Sequence, residues 1–77
     1  MESIYDIRDK VVCAADAQSG LIEVNYRKKI ILLKLAVGQD MTIIHEGVIT
    51  TIKRNTPTTL YVYSDRVSVE YRRTVED

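Results

Sequence analysis

Residues 41–55, "MTIIHEGVITTIKRN", limit what this chain can fold into more than any other stretch. Two runs of Ile, Val and Thr flank Glu46 and Gly47. β-Branched side chains suit a pleated, half-buried surface, and a glycine-containing two-residue turn lets such a run reverse on itself, so the segment reads as a β-hairpin. "LYVYSDRVSVEYR", residues 60–72, repeats the composition and reads as a second hairpin turning near Ser64 and Asp65. "NTPTT", with the only proline at Pro57, is the connector between them. The result is a four-strand meander over about residues 40–73.

Two-residue turns fix which side chains face each other. At Glu46-Gly47, His45 then faces Val48, Ile44 faces Ile49, Ile43 faces Thr50 and Met41 faces Ile52. At Ser64-Asp65, Tyr63 faces Arg66, Val62 faces Val67, Tyr61 faces Ser68 and Leu60 faces Val69. Alternation sends Met41, Ile43, Val48, Ile52, Leu60, Val62, Val67, Val69 and Tyr71 to a core face. The other face carries Thr42, Ile44, Ile49, Thr51, Lys53, Tyr61, Tyr63, Arg66, Ser68, Glu70 and Arg72. On it Ile44, Ile49, Tyr61 and Tyr63 form an apolar island, with Arg66 set for a cation–π contact on Tyr63. Such a patch needs cover from the chain or from a partner.

Upstream, "SIYDIRDKVVCAADAQSG" is expected to be a helix over about 3–18. Ser3 is its N-cap with Asp6 three residues on, Ile4, Ile7, Val11 and Ala14 or Ala15 form its apolar stripe, and Gly20 ends it. Residues 21–37, "LIEVNYRKKIILLKLAV", read two ways. As a helix, Ile22, Tyr26, Ile30, Leu33 and Val37 make one stripe; as a hairpin, two β-rich runs flank "RKK", a turn without glycine. A strand is expected at 21–26, with 28–36 left open. A run as apolar as "IILLKLAV" is expected to be buried in either case.

The expected fold is therefore α+β: an N-terminal helix followed by a small antiparallel meander, curled into an SH3-like or Sm-like barrel or lying as an open sheet under the helix. This order of elements resembles that of Sm-like proteins. The Asp-x-x-Met-Asn type of stretch in that family's RNA-binding loop is absent, so the resemblance implies a fold and carries over no RNA-binding residues.

With 77 residues there is room for one domain, 1–77, and a chain this short buries only about 60% of its unfolded surface. Small domains usually add disulfides, a metal or oligomerisation. Cys13 is the only cysteine and His45 the only histidine, so neither an internal disulfide nor a Cys/His zinc set can be assembled from one chain. Self-association is the remaining expectation, and no cofactor or metal is expected. A lone cysteine fits a reducing compartment. With charges throughout "MESIYDIRDK" and "IILLKLAV" broken by Lys34, neither a secretory nor a membrane-spanning segment is expected, which points to a soluble, cytoplasmic protein.

Net charge is zero, from 11 basic and 11 acidic residues. It is unevenly spread: −3 over residues 1–26, +4 over 27–54 and −1 beyond. A protein living by phosphate contacts normally has a clear basic excess. Here the basic residues Arg27, Lys28, Lys29, Lys53, Arg54, Arg72 and Arg73 offer at most a local patch for nucleic acid or a small anion, and a solvated turn or helix face is the simpler account of them. His45 beside Glu46 is the one place with general-base potential, but no Ser-His-Asp set or metal partner accompanies it. Cys13 reads as a small buried side chain, and the isolated Gly20, Gly38 and Gly47 build no phosphate loop. The expectation is a non-enzymatic module that binds protein and associates with itself through Ile44, Ile49, Tyr61, Tyr63 and Arg66. A small nucleic-acid-binding regulator is the alternative, and an oligomer holding an anionic ligand between subunits is a third possibility.

Overall fold

The computed structural model describes residues 1–66, and among them it is all β. Seven strands run β1 (Glu2–Tyr5), β2 (Val11–Asp16), β3 (Leu21–Tyr26), β4 (Lys29–Lys34), β5 (Asp40–His45), β6 (Val48–Thr56) and β7 (Thr59–Arg66). They form two antiparallel sheets, β1-β2-β3-β4 and β5-β6-β7. The expected N-terminal helix is absent, and the sheets do not close into a barrel.

The helix fails because its first turn is pre-empted by a side chain. The Asp6 carboxylate accepts the backbone N–H groups of Arg8 at 2.7 Å and Lys10 at 3.2 Å, and the Asp6 N–H donates to the Lys10 carbonyl at 2.9 Å. An aspartate that bonds its own local backbone competes with the helical ladder. Asp9 completes the reversal in the left-handed region, at φ 58°. The next stretch, "VVCAAD", alternates with period two: Cys13 and Ala15 are buried while Val12, Ala14 and Asp16 are half-buried. The spacing of Ile4, Ile7 and Val11 that suggests a helical stripe is instead split by a turn.

Gly20 closes the β2–β3 turn rather than a helix. Its φ is +77°, and a Cβ there would stand 2.5 Å from the Leu35 carbonyl oxygen and 2.8 Å from Arg54 Cδ. The Asp16 carboxylate accepts the Ser19 hydroxyl at 2.8 Å, which tightens the same turn. The β3–β4 hairpin forms without glycine: Arg27 and Lys28 both take positive φ, 49° and 65°, the signature of a type I′ turn.

The chain changes sheets after β4. Leu35 is buried and donates its N–H to the Gly20 carbonyl, Ala36 donates to Gln39 Oε1, and Gly38 donates to the Arg54 carbonyl. Beyond it, the expected hairpin register holds: Met41↔Ile52, Ile43↔Thr50, Ile44↔Ile49 and His45↔Val48, around Glu46 (φ 50°) and Gly47 (φ 77°). The second hairpin does not turn where expected. Its turn is Pro57-Thr58, and Ser64 and Asp65 lie inside β7. Proline presets the turn's φ, and Thr56 Oγ1 accepts the Thr58 N–H, whereas Ser64 is committed sideways to Thr50 Oγ1 at 3.2 Å. "NTPTT" is therefore the hairpin turn itself, and the meander over the described residues has three strands.

The core lies between the sheets. Cys13, Ala15, Ile22, Leu35 and Ile52 are its buried cluster, with Ile4, Val12, Val24, Met41, Ile43 and Leu60 packed against it. Val67, Val69 and Tyr71, expected on the same face, lie outside the described residues.

Candidate interaction surface

Turns alternate between the two ends of the sandwich, and one arginine ties each end. At one end the buried Asp6 carboxylate holds the Arg8 guanidinium at 2.7 Å, and Arg8 also reaches Glu46 at 3.0 Å, joining the β1–β2 loop to the β5–β6 turn. At the other, Arg54 donates to three backbone carbonyls: Leu35 at 3.0 Å, Gln18 at 2.9 Å and Pro57 at 2.9 Å. Arg54 is thus a structural clamp rather than a free basic residue.

This geometry separates the basic residues that the sequence groups together. Arg27, Lys28 and Lys29 sit at the β3–β4 turn, and the Arg27 guanidinium lies 5.2 Å from the Tyr26 ring centre. Lys53 lies five residues up β6 from Val48, about 17 Å at the rise of a strand, beside Asp40 and Tyr61. Arg72 and Arg73 lie outside the described residues.

The outer face of the β5-β6-β7 sheet does carry the tyrosines. Its rows are Ile44–Ile49–Asp65, Thr42–Thr51–Tyr63 and Asp40–Lys53–Tyr61. Tyr61 is 60% exposed, Tyr63 51% and Ile44 46%, while Ile49 is half-buried. Because β7 runs straight through Ser64 and Asp65, Arg66 pairs with Val48 and belongs by alternation to the opposite face from Tyr63. The expected Arg66–Tyr63 contact is replaced by a hydrogen bond from the Tyr63 hydroxyl to Asp65 Oδ2 at 3.1 Å. That carboxylate also raises the Tyr63 pKa, because the bond holds the phenol in its protonated form.

The largest departure from the sequence reading is β4. Its apolar composition predicts burial, yet among the described residues "KIILLK" is an edge strand in which Ile30 is 62% exposed, Ile31 52%, Leu32 60% and Leu33 42%. Ile31 and Leu33 share a face with Val24 and Ile22, so they carry the core face past the edge of the sandwich, and Ile30 and Leu32 take the other face. The signal is present in the lysines: Lys29 and Lys34 bracket the apolar run, as charges do on strands at a sheet edge.

The other candidates carry little chemistry. His45 is exposed beside Glu46, its Nε2 3.5 Å from Glu46 Oε1, and lines a cleft with Val24, Tyr26 and Ile43 that holds no carboxylate. Burial pushes the Cys13 thiol up to about 11, which keeps it protonated and unreactive at neutral pH. Among the described residues no group of three or more His, Cys, Asp or Glu is placed to hold a metal ion, and no helix is long and apolar enough to cross a membrane. Compared with protein-family models, with curated proteins and with solved structures, the chain matches none.

Proposed function

We propose that this chain is a non-enzymatic binding module of the cytoplasm that acts through protein–protein contacts, as an adaptor or inhibitor of a larger protein, and that it works as an assembly of its own copies. The observation that carries this reading is the exposure of four consecutive aliphatic residues, Ile30 to Leu33, on both faces of an edge strand. An apolar strand whose backbone edge meets no described strand is a template for another chain. The outer face with Ile44, Tyr61 and Tyr63 is a second, separate contact surface, and tyrosine is enriched where interfaces derive their affinity. A nucleic-acid role loses support, since Arg54 is committed to carbonyls and Lys53 stands far along β6 from Arg27, Lys28 and Lys29.

Solution mass by light scattering, with and without added single- and double-stranded nucleic acid at low salt, tests the reading. A mass that is a multiple of the 8.8 kDa chain and does not change with nucleic acid is expected. A single-chain mass across the concentration range, or a shift on adding nucleic acid, would overturn it.

A further inference from the structure

The β4 backbone presents two different rows of polar groups. The two-residue turn at Arg27-Lys28 makes Tyr26↔Lys29 the hydrogen-bonded pair that closes the hairpin, and alternation makes Val24↔Ile31 and Ile22↔Leu33 the next bonded pairs. The 2.9 Å bond from the Leu35 N–H to the Gly20 carbonyl continues the same phase. Ile30, Leu32 and Lys34 therefore direct N–H and C=O away from β3, toward a side where no described strand lies.

We propose that this row is satisfied by β4 of a second copy of the chain, running antiparallel, with Leu32 opposite its own counterpart on a two-fold axis. This rests on the self-association reading above and adds which strand forms the seam and in what register. Residues directly opposite in an antiparallel pair point to the same face. An axis perpendicular to the sheet must then bring a residue opposite itself and join core face to core face. Centred on Leu32, the bonded pairs are Leu32–Leu32 and Ile30–Lys34, so every outward N–H and C=O of the row finds a partner. The closer, non-bonded pair is Ile31–Leu33, on the face that holds Val24 and Ile22, so the core face runs unbroken across the seam.

Charge and backbone geometry select this register over its neighbours. Centred on Leu32, Lys34 faces Ile30 and Lys29 faces Leu35, so no lysine opposes another. Centred on Ile31, Lys34 would face Lys28, a like charge held in a left-handed turn at φ 65° where the ladder cannot continue. Centred on Leu33, Ile30 would face Ala36, which lies beyond the end of β4 and already donates its N–H to Gln39.

Cysteine cross-linking of the full chain reads the register directly. Across the axis, the two Leu32 Cα atoms stand about 5.5 Å apart, within disulfide reach, while the two Ile30 Cα atoms stand about 14 Å apart. Leu32→Cys is expected to give a disulfide-linked dimer on mild oxidation and Ile30→Cys none, with the buried Cys13 taking no part. As a second arm, Leu32→Pro removes an N–H that points away from β3 and so spares the hairpin. It is expected to reduce the mass to that of one chain while keeping the β signature in circular dichroism. An assembly that persists in Leu32→Pro, or that cross-links equally through Ile30→Cys, would overturn the seam and leave self-association standing; a wild-type chain of single mass would overturn both.

Discussion

Arg54 is the residue on which most of one end of the molecule depends. Its guanidinium serves carbonyls from the β2–β3 turn, the β4–β5 connection and the β6–β7 turn. Arg54→Ala leaves those acceptors without their charged donor and is expected to cost about 3 kcal/mol, read as a lower urea midpoint. Arg54→Lys should recover little of it, because a single ammonium cannot span three carbonyls held by a planar fork. Gly20→Ala is expected to lose about 2 kcal/mol in the same titration, since a methyl group at φ +77° meets both the Leu35 carbonyl and Arg54 itself. None of this is legible in the sequence, where Arg54 looks like one member of a basic group beside Lys53. The acceptors that claim it are backbone atoms at positions 18, 35 and 57, and no residue type marks those positions.

At the scale of the element, legibility depends on how local the deciding interaction is. The β5–β6 hairpin can be read to the residue because Glu46-Gly47 fixes the turn and alternation does the rest. β2 reads as helix in the sequence because "VVCAAD" fits either period, and the decision lies in the Asp6 side chain closing a loop upstream. β7 reads as two strands because Ser64-Asp65 has the composition of a turn, whereas the Ser64 hydroxyl is bonded across to Thr50 and the strand runs on to Arg66. The open status of β4 cannot be read from its apolar run at all, since an edge is defined by what lies beside it. The β3–β4 turn offers a test of local strain. Lys28 holds φ 65° without being glycine, so Lys28→Gly is expected to stabilise the monomer fold by about 1 kcal/mol, seen as a raised thermal midpoint. On the outer face of the other sheet, Tyr61→Ala with Tyr63→Ala removes two exposed side chains and the bond to Asp65. The double variant is expected to lose partner capture with the fold and the self-assembled mass unchanged, by circular dichroism and light scattering.

For the whole molecule, acid is the solvent condition that tells most. The Arg8 guanidinium holds the Asp6 carboxyl below its ordinary 3.8, the Ser19 hydroxyl does the same for Asp16, and Arg8 again holds Glu46 below 4.5. A carboxyl whose pKa is lower in the folded state stabilises fully above its unfolded value, and that stability is lost as pH falls through the folded value. Stability is therefore expected to be level from neutral pH down to about 5 and to fall below about 4. Asp6→Asn should flatten that fall at the expense of stability at pH 7; a melting series across pH reads both.

The two arginines also make the sandwich respond unequally to ionic strength. Arg8 is opposed by carboxylates, one of them the exposed Glu46, so dissolved ions compete for its partners. Arg54 faces only neutral carbonyls, which attract few counter-ions. Salt thus loosens the molecule from one pole while the other stays shut, giving this small fold a direction in which it comes undone, and amide exchange in the β1–β2 loop should quicken with salt well before exchange around Leu35 does.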